Sequence, residues 1–136
     1  MAERRGRKTV ERSSYSKYQR VAEHFYEAAK DSMELEYWTA ACVLIVHAAI
    51  AYTDALSIKL SGQRSISDNH EDAVMLVDTV IAESEDKIKA VNQLRRIIEE
   101  KTKVSYLGEL YSGTQAREMW KRLERFREWV KIILTR

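Results

Sequence analysis

The chain has 136 residues, of which 45% are hydrophobic and 32% charged, which suits a single soluble domain with a real core. It has no proline and only four glycines, which excludes folds that need frequent tight turns and favours long helices. The net charge of +2 is too small for strong nonspecific binding to nucleic acid, but it is unevenly spread. Residues 1–20 carry seven Lys/Arg against two Glu, residues 117–136 carry seven against three, and the middle is acidic.

The basic start, with Arg4, Arg5, Arg7 and Lys8, can attract an anionic polymer or serve as a solubilising tail. Residues 1–13 have few apolar side chains and are expected to form a disordered basic tail, with residues 14–136 as one domain. From Ser14 a first helix is expected, with Tyr18, Val21, Phe25, Ala28 and Ser32 on its buried face, ending near Met33–Glu34. The second helix follows almost at once, so the two are expected to be antiparallel neighbours.

That second helix, residues 36–60, dominates the sequence. From Trp38 to Ala51 only Thr39 and His47 interrupt an apolar run rich in small residues. The pattern predicts a central helix buried on all sides. Its length is close to a membrane span, but His47, Asp54 and the alanine content argue for a bundle core instead. The single cysteine, Cys42, lies inside the run and reads as a small buried hydrophobe. A lone thiol, together with a start that lacks a signal-peptide core, points to the cytoplasm and away from membranes.

Gly62 is the expected stop for the central helix, and Ser61–Ser67 the loop that follows. Asp68 and Glu71 have capping-box spacing at the start of a third helix, whose apolar stripe is Ala73, Val74, Val77, Val80 and Ile81. Ser84 is expected to cap a fourth helix with Ile88, Val91, Leu94 and Ile98 inward. Val104–Ser112 reads as a loop. Ser112 and Gln115 form a second capping box. The last helix then carries Ala116, Met119, Leu123, Phe126, Val130 and Ile133 as a seam, with Trp120 and Trp129 as flanking anchors. The expected fold is all-α: an up-and-down bundle of about five helices round the central one.

No phosphate-binding glycine loop, zinc-protease motif, paired CxxC or nucleophile elbow is present. What remains is a sparse polar set: His47 and Asp54 on the central helix, His70 at the start of the third, and Arg95, Arg96, Lys101 and Tyr106 at the end of the fourth and beyond. A buried Asp54 needs a partner, and His70, Arg64, Ser65 or a basic residue of the fourth helix are the choices. Asp54 and His70 read first as structural ties for the loop between them, and His47 as a hydrogen-bonded core or interface histidine. A nucleotide or nucleic-acid site is the second reading. His47, Asp54 and His70 lack ligand-type spacing, so no metal site and no cofactor is expected.

Four segments carry a family resemblance: HAAIAYTDAL at 47–56, SDNHEDAVMLV at 67–77, KTKVSYLGELYSGTQA at 101–116 and RLERFREWVKIIL at 122–134. In order and spacing they resemble the HEPN domains (higher eukaryotes and prokaryotes nucleotide-binding). The resemblance implies a small helical bundle, usually dimeric. Many such proteins are metal-independent ribonucleases with an arginine followed after four to six residues by a histidine. Some are toxins paired with a nucleotidyltransferase antitoxin. The chemistry is sensible: histidine moves a proton near neutral pH, and arginine holds the phosphate.

This chain departs at that motif. It has Lys101, four residues, then Tyr106, and no histidine follows Arg95 or Arg96. Lysine binds phosphate as a point charge, and a phenol with a pKa near ~10 is a poor base at pH 7. The expectation is a non-catalytic cytoplasmic homodimer that binds RNA, a nucleotide or a protein partner, with a toxin–antitoxin or defence module as its setting. Its site would hold Lys101 and Tyr106, with Arg95, Arg96 and His70 nearby. The alternatives are a ribonuclease using Lys101 and Tyr106, or His70, and a purely structural interaction module.

Overall fold

The structure, a computed structural model, describes residues 6–67, 70–101, 103, 108 and 110–136. A short strand β1 (Arg7–Thr9) and one 3-10 turn (Arg12–Ser14) lead into helix α1 (Tyr15–Glu34). Helix α2 (Trp38–Ser61) and strand β2 (Gln63–Ser65) follow. Then come α3 (Glu71–Val80), α4 (Glu85–Glu99) and α5 (Gly113–Leu134). The all-α bundle expected from the sequence is what these elements build.

The turn between α1 and α2 is made by backbone groups that α1 leaves unpaired at its end. The Tyr37 amide donates to the Ser32 carbonyl at 2.9 Å, and the Glu36 amide to Met33 at 3.1 Å. This double bond pattern needs a left-handed residue, and Glu36 takes it at φ 61, where glycine is usual. At the other end of α2, Gly62 adopts the same conformation at φ 69 and its amide caps Ile58. The predicted stop is thus confirmed.

Helix α2 is the hub. Fourteen of its residues are buried, from Ala41 to Ile58. Helix α1 runs back along it, so Tyr15 meets Lys59 near the end of α2. Helix α5 runs parallel to α2: Gly113 lies against Trp38, Arg127 bonds Tyr52, and Lys59 reaches the Leu134 carbonyl. Helix α4 is antiparallel to α5, with Arg122 bonded to Gln93 at 3.4 Å. All six predicted seam positions of α5 are buried, and its capping box forms as Ser112 and Gln115 foretold. Among the described residues α2 alone is long and apolar enough to cross a membrane. Some 78% of its most apolar window is buried in the bundle, consistent with the core helix of a soluble protein.

Several expectations need correction. The basic tail is not disordered from Gly6 onward: β1 pairs antiparallel with β2, Arg7 opposite Ser65 and Thr9 opposite Gln63. Arg7 also meets the Asp72 carboxylate at 3.0 Å, which neutralises a charge that otherwise favours solvent. Ser61–Ser67 therefore holds a strand. The buried face of α1 is Ala22, Tyr26 and Ala29, rotated from the predicted one, and Val21 is exposed. Tyr26 turns inward because its ring stacks on Trp120 at 5.0 Å and its hydroxyl donates to Glu124 at 3.0 Å.

In α4, Val91 and Leu94 point inward as expected, but Ile88 is exposed and Lys87 is buried. The carbonyls at the end of α3 need donors, and the Lys87 ammonium supplies them to Asp78 at 2.8 Å and Ile81 at 3.0 Å. It also pairs with the Asp78 and Glu83 carboxylates. The Ser84 cap forms as expected, through the Lys87 amide at 3.0 Å. Asp68, half of the other capping box, lies outside the described residues, and α3 begins at Glu71.

Candidate functional site

The N-terminal half of α2 is where the end of α4 and the start of α5 converge. The Tyr111 amide donates to the Thr39 hydroxyl at 3.0 Å, and the Tyr111 hydroxyl to Glu100 at 2.5 Å. Trp38 packs under Arg117, whose guanidinium is 5.5 Å from its ring. A side chain on Gly113 would come within 3.1 Å of Trp38, so the glycine permits this close approach. Cys42 is fully buried, and burial, with the Glu100 charge, pushes its thiol up to about 12. It is inert at neutral pH.

One turn along α2, His47 is exposed, in the middle of the most apolar segment of the chain. Of the core or interface roles expected for it, the exposure excludes the core. Its ring stacks on Phe25 of α1, with centroids 5.5 Å apart and planes at 29°. Among the described residues neither ring nitrogen has a hydrogen-bond partner. Partial burial and then the positive charge of Lys101 lower its pKa, which favours the neutral ring at pH 7. Lys101 thus acts electrostatically on His47 although the two are far apart in sequence. Val43, Leu44 and Ile50 surround the histidine and are half-buried.

Asp54, two turns further along the same helix, meets the opposite surroundings. It is buried, and its partner is Arg64 of β2, whose Nε lies 3.8 Å from the carboxylate. That nitrogen is buried and has no hydrogen-bond partner among the described residues. The guanidinium also sits 5.4 Å from the Tyr18 ring centroid. Burial, partly offset by Arg64, raises the Asp54 pKa to about 6. Of the partners considered from the sequence, the structure selects Arg64.

Among the described residues, Arg95 and Arg96 serve different surroundings. Arg95 bonds Glu71 at 3.2 Å and ties α4 to the start of α3. His70 caps that helix by position, with no side-chain capping bond. Arg96 points into a crevice of 160 Å³ shared with Glu99, Glu100, Glu118 and Arg122, where carboxylates offset its charge. Tyr106 lies outside the described residues. Among the described residues no cluster of three His, Cys, Asp or Glu side chains could hold a metal ion.

Two arrangements were missed from sequence. One is Phe25 as the ring beneath His47, a contact between helices with no local signature. The other is Arg127, which donates to Tyr52 and Glu23, both at 2.8 Å, and lies 3.9 Å from the Tyr26 ring centroid. Burial works against ionised Glu23, but the hydrogen bonds from Arg127 and Tyr52 and the charges of Arg127 and Lys131 together outweigh it, and its pKa falls. This network locks α1, α2 and α5 together. A groove of 440 Å³ between α4 and α5 has Ala90, Trp129 and Ile132 as its apolar lining. Lys89 and Arg125 are balanced there by Asp86 and Glu128, so it offers no preference for an anion.

The family model described as HEPN domain matches residues 15–133. No curated protein and no solved structure matches the chain.

Proposed function

Because the chain belongs to the HEPN domain family, we propose that it binds RNA or a nucleotide as a homodimer and does not cleave it. HEPN domains indicate a nucleotide-binding and ribonuclease-like superfamily. The observation that carries the reading is an exposed histidine, stacked on Phe25 and without a hydrogen-bond partner among the described residues, whose pKa the charge of Lys101 helps to lower. A lysine there supplies a point charge for phosphate. The Lys101 and Tyr106 pair, in place of arginine and histidine, supports binding without the family's usual cleavage chemistry.

Leu35, Tyr37 and Leu110 are exposed by 63%, 63% and 88%. Leu35 and Tyr37 flank the α1–α2 turn, and Leu110 precedes the residue bonded to Thr39, so all three belong to one end of the bundle. Apolar side chains concentrated in this way fit a contact between subunits. Buried, unpaired Cys42 suits the reducing cytoplasm. The family resemblance extends the proposal to a toxin–antitoxin or defence setting with a nucleotidyltransferase-type partner.

Sedimentation and filter binding test the reading. The purified protein is expected to be a dimer that retains single-stranded RNA with strongly salt-dependent affinity, and to leave labelled RNA intact in EDTA. Lys101→Ala and Tyr106→Ala together are expected to abolish retention. Equal retention by wild type and double variant contradicts the proposal.

A further inference from the structure

Three features of His47 are not explained by folding. It interrupts an apolar run at a position where alanine or leucine would serve the helix better. It is exposed, and neither nitrogen has a partner among the described residues. Its ring is nevertheless held in place by the stacked Phe25. A flat ring fixed on one side and open to solvent is a platform for another flat ring.

We propose that Phe25 and His47 form the nucleobase-stacking platform of the site that Lys101 serves, and that the ligand is single-stranded RNA with an unpaired base. This rests on the proposed RNA binding and adds to it the residues that hold the base. A base laid on the imidazole continues the column that Phe25 begins. Lys101, whose charge is felt at His47, meets the phosphate of the bound strand. The two ring nitrogens are left to hydrogen-bond the base edge or the ribose 2′-hydroxyl. Val43, Leu44 and Ile50 give the base an apolar border, which duplex RNA, with its bases paired inside, cannot use.

The experiment compares three full-length proteins, wild type, His47→Ala and His47→Phe, by fluorescence anisotropy. The probes are a labelled single-stranded oligouridylate, the same length of duplex RNA, and inorganic polyphosphate as a competitor with charge but no bases. Base–aromatic stacking is worth about 1–3 kcal/mol per base, so His47→Ala is expected to weaken oligouridylate binding at least fivefold. Polyphosphate competition should stay unchanged for this variant, and His47→Phe should restore most of the affinity. Alanine is favoured in a helix and the site is exposed, so the variant is expected to fold, and circular dichroism checks this.

Oligouridylate affinity unchanged in His47→Ala overturns the platform while leaving RNA binding standing. So does His47→Phe behaving like His47→Ala, or a preference for duplex. Conversion of His47→Ala to monomer in sedimentation overturns it too, because the face is then a contact between copies. Failure of the wild type to bind any RNA removes the function on which the inference rests.

Discussion

Helix α2 carries two polar side chains, two turns apart on one face, and they are treated in opposite ways. Asp54 is closed over by β2, and β2 is closed in turn by β1. His47 is left open, with one aromatic neighbour and the field of a lysine that lowers its pKa. The same helical geometry thus serves two purposes. What separates them is the cover supplied by other parts of the chain. A polar group sealed into a core is a matter of stability, and one left open beside a cation is a matter of binding.

The contrast can be broken from its closed end first. Arg64→Ala leaves a buried carboxylate without its cation, and a loss of about 3 kcal/mol in urea unfolding at pH 7 is expected. RNA affinity should not follow. A loss under about 0.5 kcal/mol, the size usual for a plain surface change, would mean that Asp54 is not sealed.

Asp54→Asn should act with the other sign. Its folded pKa, about 6, is raised above the unfolded value, so the native state holds the proton more tightly. That contribution is complete below the unfolded pKa and is lost as pH rises through the folded one, between roughly pH 4 and 6. The Asn variant is expected to be about 2 kcal/mol more stable than wild type at pH 7, with the gain shrinking toward pH 4. A gain independent of pH removes Asp54 ionisation as the cause.

The two ends of α2 offer a smaller, paired test. Both need a left-handed residue, but one has glycine and the other glutamate. Gly62→Ala is expected to destabilise by about 1 kcal/mol, because a side chain is strained at φ 69, while its Cβ would meet the Val10 carbonyl at an ordinary contact distance of 3.4 Å. Glu36→Gly should stabilise by about 0.5 kcal/mol, because relief of strain exceeds the entropy lost by glycine. Thermal melts showing both changes with one sign would contradict the geometry.

The smallest effect belongs to the open position, His47. His47→Ala should change stability by less than about 0.5 kcal/mol, since the ring fills no cavity. A larger loss makes His47 a packing residue and dissolves the contrast.

The sequence disclosed those parts of the fold that depend on local rhythm. The strict spacing of Ala116 to Ile133 was readable because α5 has one apolar face and a capping box at its start. Gly62 announced its own backbone conformation. Non-local matters were not readable. β1 pairs with a strand more than fifty residues away, and nothing in RKT signals it. Lys87 replaced Ile88 inward because α3 ends beside it, a fact of tertiary structure. Spacing alone put His47 and Asp54 on one face of α2. It could not show that Arg64 would cover one of them and that Phe25 would merely support the other. Lys101 was singled out by family resemblance; its partner His47 was visible only once the helices were assembled.

The central claim is that the open face of α2 at His47, with Lys101, binds single-stranded RNA. The most direct measurement is the dissociation constant of a labelled oligouridylate for wild type and Lys101→Ala across a salt series. The account predicts wild-type binding that weakens steeply with salt, a roughly tenfold loss in the variant at low salt, and a salt slope smaller by about one. Superimposable curves for the two proteins, or no binding by either, would contradict it.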